Sequence, residues 1–208
     1  MEGLIGRKVG MTQVYDDQGH RVAVTVLEAG PCPVVQVKSP DTDGYRAAQL
    51  GFDEQKPSRL SKALVKHFEK SGVKPCRVTK EFALDEGEEV KAGEAVTVSM
   101  FDGVKYVDVT GITKGRGFAG VVRRYRMAGG PITHGGHSKR RVGSIGARDL
   151  PGWVEKGKRM PGHMGAVNRK ARNLAVVQVR GEENLILVAG SVPGPKGAVV
   201  IIRKALKK

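Results

Sequence analysis

Gly115-Arg116-Gly117-Phe118-Ala119-Gly120 has the G-x-G-x-x-G spacing with which dinucleotide-binding proteins turn a strand into a helix and bring backbone amides to a pyrophosphate. With Val122 the same residues fit the glycine-rich loop of protein kinases. Neither pattern is completed elsewhere. A dinucleotide site calls for an acid about 20 residues on to hold the ribose, and no Asp or Glu stands between Asp108 and Asp149. A kinase calls for H-R-D and D-F-G segments, which the sequence lacks. The underlying chemistry survives these exclusions. Glycines let backbone approach closely, amides can face a phosphate oxygen, and Lys114, Arg116, Arg123, Arg124 and Arg126 supply charge.

His134 and His137 form H-x-x-H, but no third ligand follows at a convincing spacing, so no metal is expected. Contacts to phosphate or to a nucleic-acid base suit these two better, whereas His20 and His67 read as ordinary body residues. No Ser, His and acid arrangement and no paired carboxylates mark a catalytic centre, so no enzymatic activity and no cofactor is expected. Cys32 and Cys76 form no C-x-x-C and read as small apolar residues of a reduced compartment. Phe118, Tyr125 and Trp153 are the only aromatics between residues 111 and 172. Each can stack on an unpaired base, dock against a partner protein or anchor the arm on its own body; for Trp153, deep in the basic stretch, contact with a base or partner is the favoured reading.

The charge is unevenly distributed. The 208 residues carry 36 Lys and Arg against 21 Asp and Glu, a formal charge of +15. Residues 1–110 hold 15 basic and 17 acidic residues, so the excess falls entirely on the remainder. Residues 111–172 hold 15 Lys or Arg, 14 Gly and only Asp149 and Glu155 as acids. Such a balance calls for a polyanionic partner, nucleic acid or anionic membrane. The longest apolar runs, Leu185–Ala189 and Ala198–Ile202, have five residues, against about 20 for a spanning helix, and Gly6, Arg7, Lys8 and Gly10 break any signal-peptide pattern. The expectation is a soluble cytoplasmic protein that binds nucleic acid and no membrane.

The elements that position this stretch lie on both sides of it. Alternating apolar residues at Val22, Val24 and Val26 and at Val107 and Val109 predict half-buried strands. Val34–Val37, Ala47–Phe52, Cys76–Phe82, Val96–Phe101, Leu174–Val179, Leu185–Val188 and Ala198–Ile202 read as further strands, punctuated by turns such as Asp102-Gly103. Many short strands with tight turns predict a closed or nearly closed barrel, a mainly β fold with minor α. One helix is predicted between Ser58 and Ser71, with Leu60, Leu64, His67 and Phe68 on one face and Gly72 just past its end. Residues 1–110 and 173–208 thus form a β-barrel body, and residues 111–172 an extended arm inserted within it. A stretch so rich in Gly and Arg buries too little apolar surface to offset the entropy of its own ordering.

Phe101, Asp108, Gly111, Thr113, Gly115, Arg116, Gly117, Gly120 and Arg124 stand at the spacing of a family signature, and the sequence resembles the large-subunit ribosomal protein three family in its bacterial form. The likeness extends to Gly3-Leu4-Ile5-Gly6-Arg7-Lys8-Val9-Gly10-Met11-Thr12-Gln13, to Gly129-Gly130-Pro131, to Gly143-Ser144-Ile145-Gly146 and to residues 156–165. The resemblance implies a translation-type β-barrel body and a long central extension threading large-subunit ribosomal RNA toward the peptidyl transferase centre. It implies RNA binding near the 3′ end, an early role in assembly, and large-subunit proteins fourteen and nineteen as neighbours in the cytoplasmic ribosome. On this reading the RNA contacts run from Lys114 through Lys139, Arg140, Arg141 and Arg148, past Trp153, to Lys156, Lys158, Arg159 and His163, ending at Arg169, Lys170 and Arg172. At the tip, relatives often read G-Q-N-Q-T-P-G, some with a methylated glutamine. Here Gly146-Ala147-Arg148-Asp149-Leu150-Pro151-Gly152 places Asp149 at that position, so this modification is not expected.

Overall fold

The computed structural model describes residues 1–16, 18–85 and 87–206. In chain order the elements are β1 (Gly3–Tyr15), β2 (Arg21–Ala29), β3 (Cys32–Lys38), α1 (Pro40–Asp43), β4 (Ala47–Glu54), α2 (Lys62–Lys70), β5 (Cys76–Ala83), β6 (Ala95–Val96) and β7 (Tyr106–Ile112). Then come β8 (Phe118–Ala119), α3 (Val121–Tyr125), β9 (Gly162–His163), β10 (Asn168–Arg180), β11 (Leu185–Ala189) and β12 (Val199–Lys204). The chain divides into two compact units, one of residues 1–112 and 168–208 and one of residues 113–167. Strands β7 and β10 therefore run two and five residues into the stretch that composition marks as the arm.

In the first unit, β1, β12, β7, β10, β11 and β2 close an antiparallel barrel in that order. Leu4, Ile5, Val24, Leu27, Val107, Val109, Ile186, Val188 and Ile202 are fully buried. Their residue type explains the strands: branched side chains tolerate an extended backbone and fill a pleated, half-buried surface. At Gly6 the neighbouring strand comes so close that a Cβ would lie 2.4 Å from the Glu28 carbonyl oxygen, so only glycine fits. A second sheet, in the order β5, β4, β3 and β6, shares the core through Cys32, Val34, Leu50 and Phe82. Cys32 and Cys76 are free and buried, and burial pushes their thiols up to about 12 and about 11.

The structure departs from the sequence reading at three points. The opening residues form the long strand β1, which no alternation announces. Val96–Phe101 is a strand only at Val96: after β6 the chain turns through a 3-10 helix over Val98–Phe101, which buries Val98 and Phe101 on one side. Their i, i+3 spacing eclipses in a 3-10 helix, whereas a strand would send them to opposite faces. The predicted helix is present but shorter, beginning at Lys62 where the Ser61 hydroxyl accepts from the Leu64 amide at 3.5 Å. It buries Phe68 and leaves Leu64 exposed, while the His67 ring bonds to Gln49 Oε1 at 2.8 Å. Among the described residues no helix is long and apolar enough to cross a membrane.

Candidate nucleic-acid interface

Residues 113–167 contain 12 Lys or Arg and two acids. Their only regular elements are the two-residue pair β8 and β9 and the five-residue helix α3. Backbone hydrogen bonds do most of the joining. Phe118 and Ala119 pair with His163 and Gly162, and the ladder continues through Met164 N–H to Gly117 O at 2.9 Å and Arg116 N–H to Met164 O at 2.8 Å. Thr113 and Val167 close the base of the unit, with the Thr113 amide donating to Val167 O at 3.0 Å. Gly165 explains how the two segments approach. It has φ +79, and a Cβ there would lie 2.1 Å from the Lys114 carbonyl oxygen.

This pairing decides the chemistry of the G-x-G-x-x-G segment. The Arg116 amide, which a phosphate cradle would need, is committed to Met164, and the helix that follows has only five residues. Residues 116–119 run in a ladder with 162–164 and do not make the glycine turn from strand directly into helix that a dinucleotide site requires.

Only Ala119 and Val121 of this unit are buried. Lys114, Arg116, Arg123, Arg126, Lys139, Arg140, Arg141, Arg148, Lys156, Lys158 and Arg159 are exposed, as are His134, His137 and His163. Phe118 and Trp153 are 80% and 69% exposed, so neither anchors the unit through burial. Acidic partners are nearly absent: among the described residues, the unit's single ion pair joins Arg148 and Asp149 at 3.9 Å, both almost fully exposed. A pair so solvated contributes little. The cations are therefore available to a ligand.

Arg124 differs from its neighbours. It is half-buried, its Nη1 donates to the Met160 carbonyl at 2.7 Å, and its guanidinium lies 5.0 Å from the centre of the Tyr125 ring. Arg159 faces the same ring at 5.7 Å. The ring's negative face attracts both cations. Arg124 thus fastens α3 to the returning segment, a role that its place in a run of basic residues conceals.

Arg169, Lys170 and Arg172 lie on β10, in the barrel unit. Arg169 and Arg172 are exposed. Lys170 is engaged: its ammonium is 2.9 Å from the Asp108 carboxylate, which is only 7% exposed and also accepts from the Asn173 amide at 2.8 Å. Burial pushes the Asp108 carboxyl up, but the Asn173 amide and the Lys170 ammonium together outweigh it and hold it below its ordinary 3.8. Asp108 stands opposite an irregularity in β10, where the register with β7 shifts between Ala171 and Leu174 and Asn173 takes φ +53. The sequence signal for Asp108 was a lone acid in an otherwise apolar strand.

A closed barrel and, in the same chain, a unit rich in exposed cations mark a binding protein suited by charge to a polyanion. The comparisons specify which: the family model described as ribosomal protein L3 matches residues 79–184. A protein of Brachyspira pilosicoli named large ribosomal subunit protein uL3 is 46% identical over 208 residues, covering 100% of this chain and 95% of that protein. Proteins of the same name from Alkaliphilus metalliredigens and Magnetococcus marinus are each 47% identical, covering 100% and 99% of this chain and 99% and 97% of their own lengths. The chain belongs to the ribosomal protein L3 family, and so to the ribosomal proteins and not to the enzymes.

Proposed function

We propose that this chain is a structural constituent of the large ribosomal subunit that binds large-subunit rRNA directly through its basic residues. In this reading the barrel body carries residues 111–172 as an arm that reaches toward the peptidyl transferase centre. Binding falls near the 3′ end of the RNA and early in subunit assembly, beside large-subunit proteins fourteen and nineteen. The observation that carries the reading is the unit of residues 113–167, with 12 exposed or half-buried cations, two acids and two buried side chains. Phosphates supply the missing counter-charge, released counterions supply the driving force, and the RNA supplies the order that so small a core does not. Catalysis stays with the RNA.

Sucrose-gradient sedimentation of a lysate at high salt tests the proposal. The chain is expected in the large-subunit peak. Recovery only at the top of the gradient, with no rRNA bound, would overturn it.

A further inference from the structure

Residues 127, 142–144 and 155–159 of the basic unit enclose a cleft of about 440 Å³. Met127 and Val142 are half-buried in its lining, while Lys156, Lys158 and Arg159 are exposed, so the cleft is apolar within and cationic toward solvent. Its volume suits a small organic group. The same lining contains Glu155, one of only two acids in the unit. A turn holds it, with the Lys158 amide donating to the Glu155 carbonyl at 3.3 Å and Gly157 at φ +80.

Glu155 is the anomaly. Three cations share its cleft, yet among the described residues its carboxylate forms no ion pair within 4.0 Å. A free carboxylate repels phosphate, so in a surface that meets only RNA backbone it is a liability. A carboxylate is, however, an acceptor-only group with two oxygens. Guanine alone among the RNA bases presents two adjacent N–H donors, at N1 and N2, on its Watson–Crick edge. Building on the RNA-binding function proposed above, we infer that the cleft receives one unstacked guanosine of the large-subunit rRNA. Met127 and Val142 contact the base face, Glu155 accepts from N1–H and N2–H, and the three cations hold the flanking phosphates. This is how proteins read RNA outside its helices, on splayed bases presented to apolar surface and polar edge-readers.

The sign of one substitution separates this from a solvated acid. Glu155→Gln removes a negative charge from a basic surface, and if the carboxylate faces only water the RNA binds more tightly. If the carboxylate reads guanine, the same change weakens binding of the full chain to a large-subunit rRNA transcript about tenfold, the loss of one bidentate contact. Kethoxal, which modifies unpaired guanine at N1 and N2, gives the second readout. The parent protects one such guanine, and both Glu155→Gln and the cleft-filling Val142→Trp restore its reactivity. If the parent binds but Glu155→Gln binds equally or more tightly, or if guanine reactivities are the same with parent and Val142→Trp, the cleft holds no guanine. If the parent does not bind the transcript, the RNA-binding function fails, and this inference with it.

Discussion

Residues 1–112 and 168–208 wrap a barrel and a second sheet around Leu4, Ile5, Leu50, Phe82, Phe101 and Ile202, each essentially inaccessible to water. Residues 113–167 bury only Ala119 and Val121. The charges differ in the same direction, with a formal +5 on the first unit and +10 on the second, although the second has 55 residues. Burial of apolar side chains is the main term that offsets the entropy cost of ordering a chain. The first unit can meet that cost from its own core. The second cannot, and backbone ladders and close-packed glycines specify its path without supplying the energy. One unit is stabilised from within; the other, on the function proposed above, draws its stability from the RNA it binds.

The sharpest way to break this contrast is to remove one core side chain from each unit. Phe101→Ala is expected to lower the stability of the barrel by about 3–5 kcal/mol in denaturant unfolding. Val121→Ala, the largest loss available to the buried residues of the basic unit, is expected to cost at most about 1–2 kcal/mol and to leave the main transition in place. Equal losses would show that the basic unit has a core of its own after all.

Asp108 sharpens the comparison at a smaller scale, because it is the one buried charged side chain among the described residues of the barrel unit. At pH 7, Asp108→Ala is expected to cost about 1–3 kcal/mol, since it leaves the Asn173 amide and the Lys170 ammonium without their acceptor. The folded-state carboxyl titrates below its ordinary value. Its contribution is therefore complete above about pH 4, and is lost as the pH falls through the lower, folded-state value. The stability gap between parent and variant should narrow in acid unfolding curves below about pH 4. A gap that stays constant to pH 2 would mean that shape, not charge, makes Asp108 matter.

How much of this was legible in sequence follows from the same division. Strands such as β2 and β7 announce themselves through period-2 alternation, so that Val22, Val24 and Val26 or Val107 and Val109 recur with the pleat. β1 does not, since Gly3 to Gly6 are buried on both faces and a register shift between Lys8 and Gly10 resets the alternation. Val98 and Phe101 carried their helical spacing openly, but their β-forming residue types masked it. In the basic unit, composition exposed the charge, because charge survives any arrangement of the backbone. The pairing of residues 116–119 with 162–164 was not readable, since it joins glycine-rich segments some forty residues apart with no side-chain pattern between them. Nor could sequence tell a cation that waits for a ligand from one already used.

Arg123 and Arg124 put that last distinction to the test. They are adjacent, identical in charge and equally eligible as phosphate ligands by sequence. Arg123 is exposed and has no partner among the described residues, whereas Arg124 donates to Met160 O and lies on Tyr125. If both touch RNA, each change to alanine flattens the dependence of log affinity on log salt by about 0.7–0.9. Protease cleavage between residues 126 and 160 then separates them. Arg123→Ala should leave the cleavage rate of the free protein unchanged, and Arg124→Ala should raise it, because only the second change releases α3 from the returning segment. Arg124→Lys keeps the charge but loses the planar fork that reaches the carbonyl. It should preserve the salt slope, raise cleavage as alanine does, and weaken RNA binding a few-fold at every salt concentration. If lysine instead restores the parent's protease resistance, the Met160 contact is incidental, and Arg124 belongs with the free cations after all.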